Sequence, residues 1–209
     1  MSRVLIPFRC EQCGKVHQKA VYDGVDISRE PQYRAKVMDA SIFDFVCPSC
    51  GTVNGVIYPF LYHDPSRRFM VQLVDSGMKG DPFVDVFQGD DAEDTAMRQV
   101  SEDMKSRYRM RTVRTPNDLM EKIAVFEAGY DDRIVELMKA GFLSSNPDAE
   151  HLYYLPTDNG PQFLIEEKGD FVRSIPFDEE LYHRLEHARQ FDDHETEIDQ
   201  NWVKRKCGS

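Results

Sequence analysis

Apolar and polar positions alternate in short runs through the first third of the chain. Val4–Arg9, Val16–Tyr22, Ile42–Val46, Val53–Tyr62 and Phe69–Val74 each repeat at a period near two, the pattern of a half-buried strand. "HDPSRR" at 63–68 reads as a hairpin turn, because Asp and Pro favour tight turns over strand continuation. One helix is expected here, over Gln32–Asp39. Pro31 precedes it and suits a first helical turn, where its missing N–H costs nothing. Residues 76–96 are rich in Gly and Asp and read as a linker around one apolar stretch, Phe83–Phe87.

Beyond residue 96 the period lengthens. Met97, Val100 and Met104 predict a helix, and "RYRMRTV" at 107–113 a strand. Thr115, Pro116 and Asp118 form a helix start, with an N-cap hydroxyl, a proline at the first position and a capping-box acid. Leu119, Ile123 and Phe126 line one face, and Gly129 is placed to end the helix. Asp131 or Asp132 then caps a second helix bearing Ile134, Leu137 and Met138, so residues 116–142 should form an antiparallel helical hairpin. Residues 151–176 alternate again, with turn signals at Asp158-Asn159-Gly160 and Lys168-Gly169-Asp170, and read as a β-meander. A last helix is expected over 179–190 behind Asp178. The predicted class is therefore α+β. A first domain over 1–78 is followed by a mixed second part over 79–190 and an acidic, disordered tail over 191–209.

Composition narrows the function. At 209 residues with 41% hydrophobic content, the chain can bury a sizeable core. The first ten residues carry a five-residue apolar run that ends at Arg9, too short for a secretory leader, and no run approaches a membrane span. The expected setting is the cytoplasm. Residues 1–80 carry 10 Lys and Arg against 8 Asp and Glu, a net of +2, and residues 81–209 carry 16 against 29, a net of −13. An acidic body without a basic footprint argues against nucleic acid as the partner.

The candidate chemistry sits in two short copies of one motif, "CEQCG" at 10–14 and "CPSCG" at 47–51. In a reducing compartment, paired cysteines favour metal over disulfides. Cys10, Cys13, Cys47 and Cys50 offer four soft ligands, which suits one tetrahedral zinc. Gly14 and Gly51 let the backbone turn and aim its amides at the sulfurs. The gap between the pairs is 33 residues, longer than the usual ribbon loop of about 15–20; the helix near residue 32 accounts for the excess. The same knuckles also look like a rubredoxin, which would hold iron and carry one electron. A thioredoxin-like dithiol and four unrelated buried cysteines are the other readings of the same residues. Cys207 stands apart, as a free thiol on the tail.

Other motifs have plainer readings. "HRLEH" at 183–187 matches an inverted zinc-protease pattern, but His183 and His187 lie off the apolar face of Leu181, Leu185 and Ala188 and read as a solvated surface. Arg107, Arg109 and Arg111 alternate on one strand face and form a candidate partner-binding ladder, or pair with acids such as Asp85, Asp90 and Asp91. His63-Asp64 and Asp131-Asp132 fit turn and capping roles. No phosphate loop, nucleophile elbow or triad is visible, so no catalytic residue is assigned.

Taken together, "CEQCGK", "FVCPSCG", "YPFLYHD", "RRFMVQLV" and "YRMRTVRTPNDLMEKIAVFEAGYDDRIVELMK" resemble the CpXC-domain proteins, a prokaryotic family named for its cysteine knuckles. The resemblance spans roughly residues 8–142. Glu11 stands where the family name leads one to expect proline, which alters the stiffness of the turn and not the ligands. The resemblance implies a zinc-binding ribbon followed by a helical segment, and no established activity. The expected function is a structural-zinc interaction protein with a protein partner. Nucleic-acid binding and an iron electron carrier or enzyme are the alternatives, and the oligomeric state is open.

Overall fold

The computed structural model describes residues 3–74, 83, 106–189, 191 and 195–208. The chain divides into two compact units, Met1–Met120 and Glu121–Ser209. The secondary structure is mixed α+β throughout.

The first unit opens with a hairpin, β1 (Arg3–Arg9) and β2 (Val16–Tyr22), paired antiparallel from Arg3↔Tyr22 to Arg9↔Val16. After β3 (Gly24–Asp26) comes the expected helix, α1 (Gln32–Met38). A second, shorter hairpin follows, β4 (Asp44–Val46) against β5 (Val53–Gly55). The predicted strand Val53–Tyr62 is thus broken, and resumes only at β6 (Phe60–Asp64). Pro59 sits in the break, where it supplies no N–H for a ladder. The strand expected from Ile42 starts later too, because residues 41–43 form a single 3-10 turn behind Ala40 at φ 60°.

β6 and β7 (Phe69–Leu73) pair antiparallel across the predicted turn, where the Asp64 carboxylate accepts from the amides of Ser66 and Arg67. β7 is buried along its whole length. It is flanked by β8 (Arg109–Val113) in parallel, while β3 runs parallel to β6, giving the order β3-β6-β7-β8. Gly24 faces Leu61 in this sheet, and a Cβ there would sit 2.6 Å from the Leu61 carbonyl oxygen. The sheet therefore takes a strand from beyond residue 78, where the sequence sets the end of the first domain. Sequence separation does not limit which strands pair, and β8 completes the ladder with a Val74 N–H donating to the Val113 carbonyl. The helix expected over Met97–Met104 and most of the stretch Phe83–Phe87 lie outside the described residues; Phe83 itself is buried.

Aromatic rings join the cysteine hairpins to this sheet. Phe8 meets Phe45 edge-on at 5.5 Å, Phe45 meets Tyr58 at 6.4 Å, and Tyr58 meets Phe60 at 6.1 Å. Such edge-to-face pairs add directional preference to simple area burial.

Helix α2 (Pro116–Glu127) starts as predicted: the Thr115 hydroxyl accepts from the Asp118 N–H and donates to its carboxylate. It ends at Gly129, φ 85°. Helix α3 (Asp132–Ser145) is capped by Asp131, which accepts from the Arg133 N–H. In the second unit the predicted meander forms as β9 (His151–Leu155), β10 (Gln162–Glu167) and β11 (Asp170–Pro176), in antiparallel order with a bulge at Ile165/Glu166. Helix α4 (Glu179–Ala188) follows behind Asp178. Tyr130, Tyr154, Phe177 and Tyr182 pack edge-on or tilted among these elements, and the Tyr182 hydroxyl accepts from the Asp131 N–H.

The tail corrects one expectation. Disorder was expected over 191–209, yet Gln200–Cys207 forms a helix, α5. Asp199 caps it by accepting from the Trp202 N–H, and Ile198, Trp202 and Val203 pack as a small core against Leu137, Ala140 and Phe191. The polar composition masks three apolar residues that tertiary packing buries, and the Gln200 side chain fixes the helix start by donating to the carbonyl and carboxylate of Glu136.

Between α2 and α3 lies a buried charge network. Lys139 Nζ is 2.6 Å from Glu121 Oε2 and 2.9 Å from Glu136 Oε1. Lys122 Nζ is 3.1 Å from both Asp132 Oδ2 and Glu136 Oε1. All five side chains are buried. Their charge is largely offset internally, which is the condition for ions to stay in an interior.

A four-cysteine centre on two matched hairpins

Each cysteine pair caps one hairpin, between β1 and β2 or between β4 and β5. The two turns are built alike. Cys10 N donates to Lys15 O at 2.9 Å and Gly14 N to Cys10 O at 2.9 Å; Cys47 N donates to Thr52 O at 2.8 Å and Gly51 N to Cys47 O at 2.8 Å. Gly14 and Gly51 close both turns at φ 70° and 77°, a left-handed conformation that a Cβ would strain.

The tips meet. All four sulfurs lie within 4.8 Å of one another, with Cys10 and Cys50 3.6 Å apart and Cys13 and Cys47 3.7 Å apart. Four sulfurs at about 2.3 Å from one cation sit about 3.8 Å apart at the corners of a tetrahedron. The closest sulfur pairs match that edge, and each joins one hairpin to the other, so the donor set fits a divalent metal. The first cysteine of each pair, Cys10 and Cys47, is buried at 1% exposure. Cys13 and Cys50 face outward.

The local fields differ between the thiols. The Cys13 amide hydrogen bond brings the Cys10 thiol down to about 6, against the cost of its desolvation. At Cys13 the Lys15 amide favours the thiolate, but desolvation and the sulfurs of Cys10, Cys47 and Cys50 prevail and raise it to about 11. The hydroxyl and amide of Thr52 lower Cys50. Amides and hydroxyls aimed at sulfur stabilise the charge that a metal needs from its ligands.

Two side chains with no assigned role in the sequence reading complete the centre. Asn54, 3% exposed, accepts from the Glu11 N–H at 3.0 Å in the first knuckle. Its amide donates to the carbonyls of Thr52 and Phe45 in the second hairpin. His17 crosses the opposite way, with Nε2 3.4 Å from the Cys47 sulfur and its ring 5.5 Å from Phe8. The signal was present as a longer repeat. "FRCEQCGKVH" and "FVCPSCGTVN" align over ten positions, with Phe8 and Phe45 two residues before the first cysteine and His17 and Asn54 seven after. In both hairpins those two positions are cross-strand partners, Phe8↔His17 and Phe45↔Asn54.

The remaining candidates do not gather. Arg107 is exposed and precedes β8, Arg109 is half-buried, and Arg111 is 4% exposed with its Nη1 donating to the Met110 carbonyl. The three guanidinium groups therefore do not form one exposed row. Asp85, Asp90 and Asp91 lie outside the described residues. His183 and His187 are exposed on α4, and His183 pairs with Glu186. His63 stands half-buried in β6, its Nε2 3.3 Å from the Tyr108 hydroxyl, and Asp64 is buried in its turn. Cys207 is exposed at the end of α5. No helix among the described residues is long and apolar enough to cross a membrane.

No curated protein and no solved structure matches the chain. Residues 8–139 match the model of one family, described as CpXC protein, a span that takes in both cysteine knuckles, the four-stranded sheet and most of the two helices that follow. The chain belongs to the CpXC protein family.

Proposed function

We propose that Cys10, Cys13, Cys47 and Cys50 bind one zinc ion per chain in a zinc-ribbon-like module, and that the protein works as an adaptor or regulator through protein contacts. The convergence of four sulfurs from two hairpins supports this reading most directly. A four-thiolate set leaves the ion no open position, so its work is structural. Bound zinc supplies a cross-link between the hairpins, beside the Phe8–Phe45 contact, the Lys19 ammonium over the Phe45 ring and the His17 and Asn54 bridges. In small modules that binding is worth roughly 10–16 kcal/mol, comparable to the stability of a whole domain. Free thiols of this kind belong in a reducing compartment, consistent with the cytoplasm.

A contact role is supported by the apolar pair Val46 and Val53, 64% and 57% exposed beside the second knuckle. The same donors would take iron. Elemental analysis of reduced protein separates the two metals, and a colourless sample with one zinc per chain is expected. Removing the metal with a chelator is expected to unfold the first unit. An unchanged circular dichroism spectrum and melting temperature after verified removal would falsify the structural role. Cross-linking capture that depends on Val46 and Val53, and is lost in Val46→Asp with Val53→Asp, tests the contact role.

A further inference from the structure

His17 and Asn54 hold corresponding places on the two hairpins, yet they touch different chemistry. Among the described residues, the Asn54 side chain bonds backbone groups, one in the first knuckle and two in the second hairpin. His17 instead places Nε2 3.4 Å from a sulfur, that of Cys47. The four sulfurs, mutually within 4.8 Å, already make a complete tetrahedral set, so the ring is not needed as a ligand. It reaches that set through one sulfur, that of Cys47.

We infer that His17 donates a hydrogen bond from Nε2–H to the Cys47 thiolate and is a positioning residue for the metal centre, an inference that rests on the reading of the four sulfurs as a metal site. Four thiolates around a divalent cation leave a net charge of −2, and donors to the sulfurs spread that charge. The Thr52 hydroxyl stands 3.4 Å from Cys50, but the corresponding residue of the first knuckle is Lys15. Cys47 is 1% exposed, so solvent has little access to it. The imidazole supplies a donor to Cys47, and it comes from the other hairpin. Its orientation is preset, since His17 is the cross-strand partner of Phe8 and lies against that ring, which in turn packs on Phe45. Closing the sulfur cage and docking the two hairpins thus become one event. Asn54 secures the backbone of that arrangement, while His17 acts on the ligand field itself.

The test compares full-length wild type with His17→Leu, His17→Gln and Asn54→Ala, each loaded with cobalt(II) and separately with zinc. Two readouts are taken: the rate of metal release to a chromogenic chelator, and the energy of the sulfur-to-cobalt charge-transfer band. His17→Leu is expected to release metal about 10–100-fold faster, the usual effect of losing an outer hydrogen bond. Its band should move to lower energy, because an unbonded thiolate gives up electron density more readily. Gln carries an amide donor at a similar reach, so His17→Gln should recover most of both changes. Asn54→Ala should speed release without moving the band. If His17→Leu does not fold, His17→Phe, which keeps the ring contact with Phe8, carries the same comparison. Release and band both equal to wild type in the His17 variants would overturn the inference, as would faster release with an unmoved band, which marks a role in packing alone. A wild-type chain that takes up neither metal overturns the metal reading first, and His17's assignment with it.

Discussion

Replacing Lys139 with methionine isolates the energetics of the second unit. Lys139 is 4% exposed, and its ammonium lies 2.6 Å from Glu121 and 2.9 Å from Glu136. Methionine fills most of the same volume and removes the charge. Glu136 keeps Lys122 at 3.1 Å and the Gln200 amide at 2.8 Å. Among the described residues, Glu121 keeps the uncharged Tyr154 N–H at 2.6 Å as its hydrogen-bond donor, with Lys122 acting on it only through space. A buried charge stripped of its partner costs roughly 3–5 kcal/mol, a large part of a typical domain's 5–15 kcal/mol. Urea unfolding followed by the fluorescence of Trp202, the chain's single tryptophan, reads this unit directly.

The pH dependence has a definite sign. Burial raises the Glu121 carboxyl above its ordinary 4.5, and Lys139 opposes that rise. Without Lys139 the folded-state value climbs further. An acid raised on folding binds its proton more tightly in the native state, so stability falls as pH rises from the unfolded value through the folded one. The loss in Lys139→Met should therefore be largest at neutral pH and shrink in mild acid. Adding Glu121→Gln keeps an acceptor for Tyr154 N and removes the orphaned charge, so the double variant should regain most of the loss. A single-variant cost below about 1 kcal/mol, well short of the buried-pair range, would refute the argument, and so would a double variant no better than the single.

Two further outcomes follow from burial and hydrogen bonding. Trp202→Ala should cost about 3–5 kcal/mol by leaving a cavity in the small core of α5, and should expose residues 199–208 to protease; an unchanged cleavage rate would mean that α5 contributes little. Asp64 is buried, which alone would raise its carboxyl, but Ser66 and Arg67 hold it below its ordinary value. The stability it contributes is present above the unfolded value of 3.8 and lost as pH falls through the folded one, so Asp64→Asn should flatten the acid limb of the first unit's melting curve, and an identical pH profile would contradict that account.

Local chemistry was legible wherever neighbours in sequence settle the outcome. The caps at Thr115, Asp131 and Asp178 hydrogen-bond as their positions require, because an N-cap is satisfied within three residues. The two knuckle turns were equally legible, since C-x-x-C-G closes on its own backbone. Sequence by itself thus located the two cysteine knuckles, the two helices after Thr115 and the three strands of the meander. Tertiary structure alone decided which strands pair, and so brought β8 beside β7. It also decided that Arg111 is buried, and that a polar tail folds as α5 around Trp202. His17 and Asn54 needed it most. The ten-position repeat marks their places, but each acts on the opposite hairpin, and nothing in the repeat shows a contact made across 30 or 43 residues.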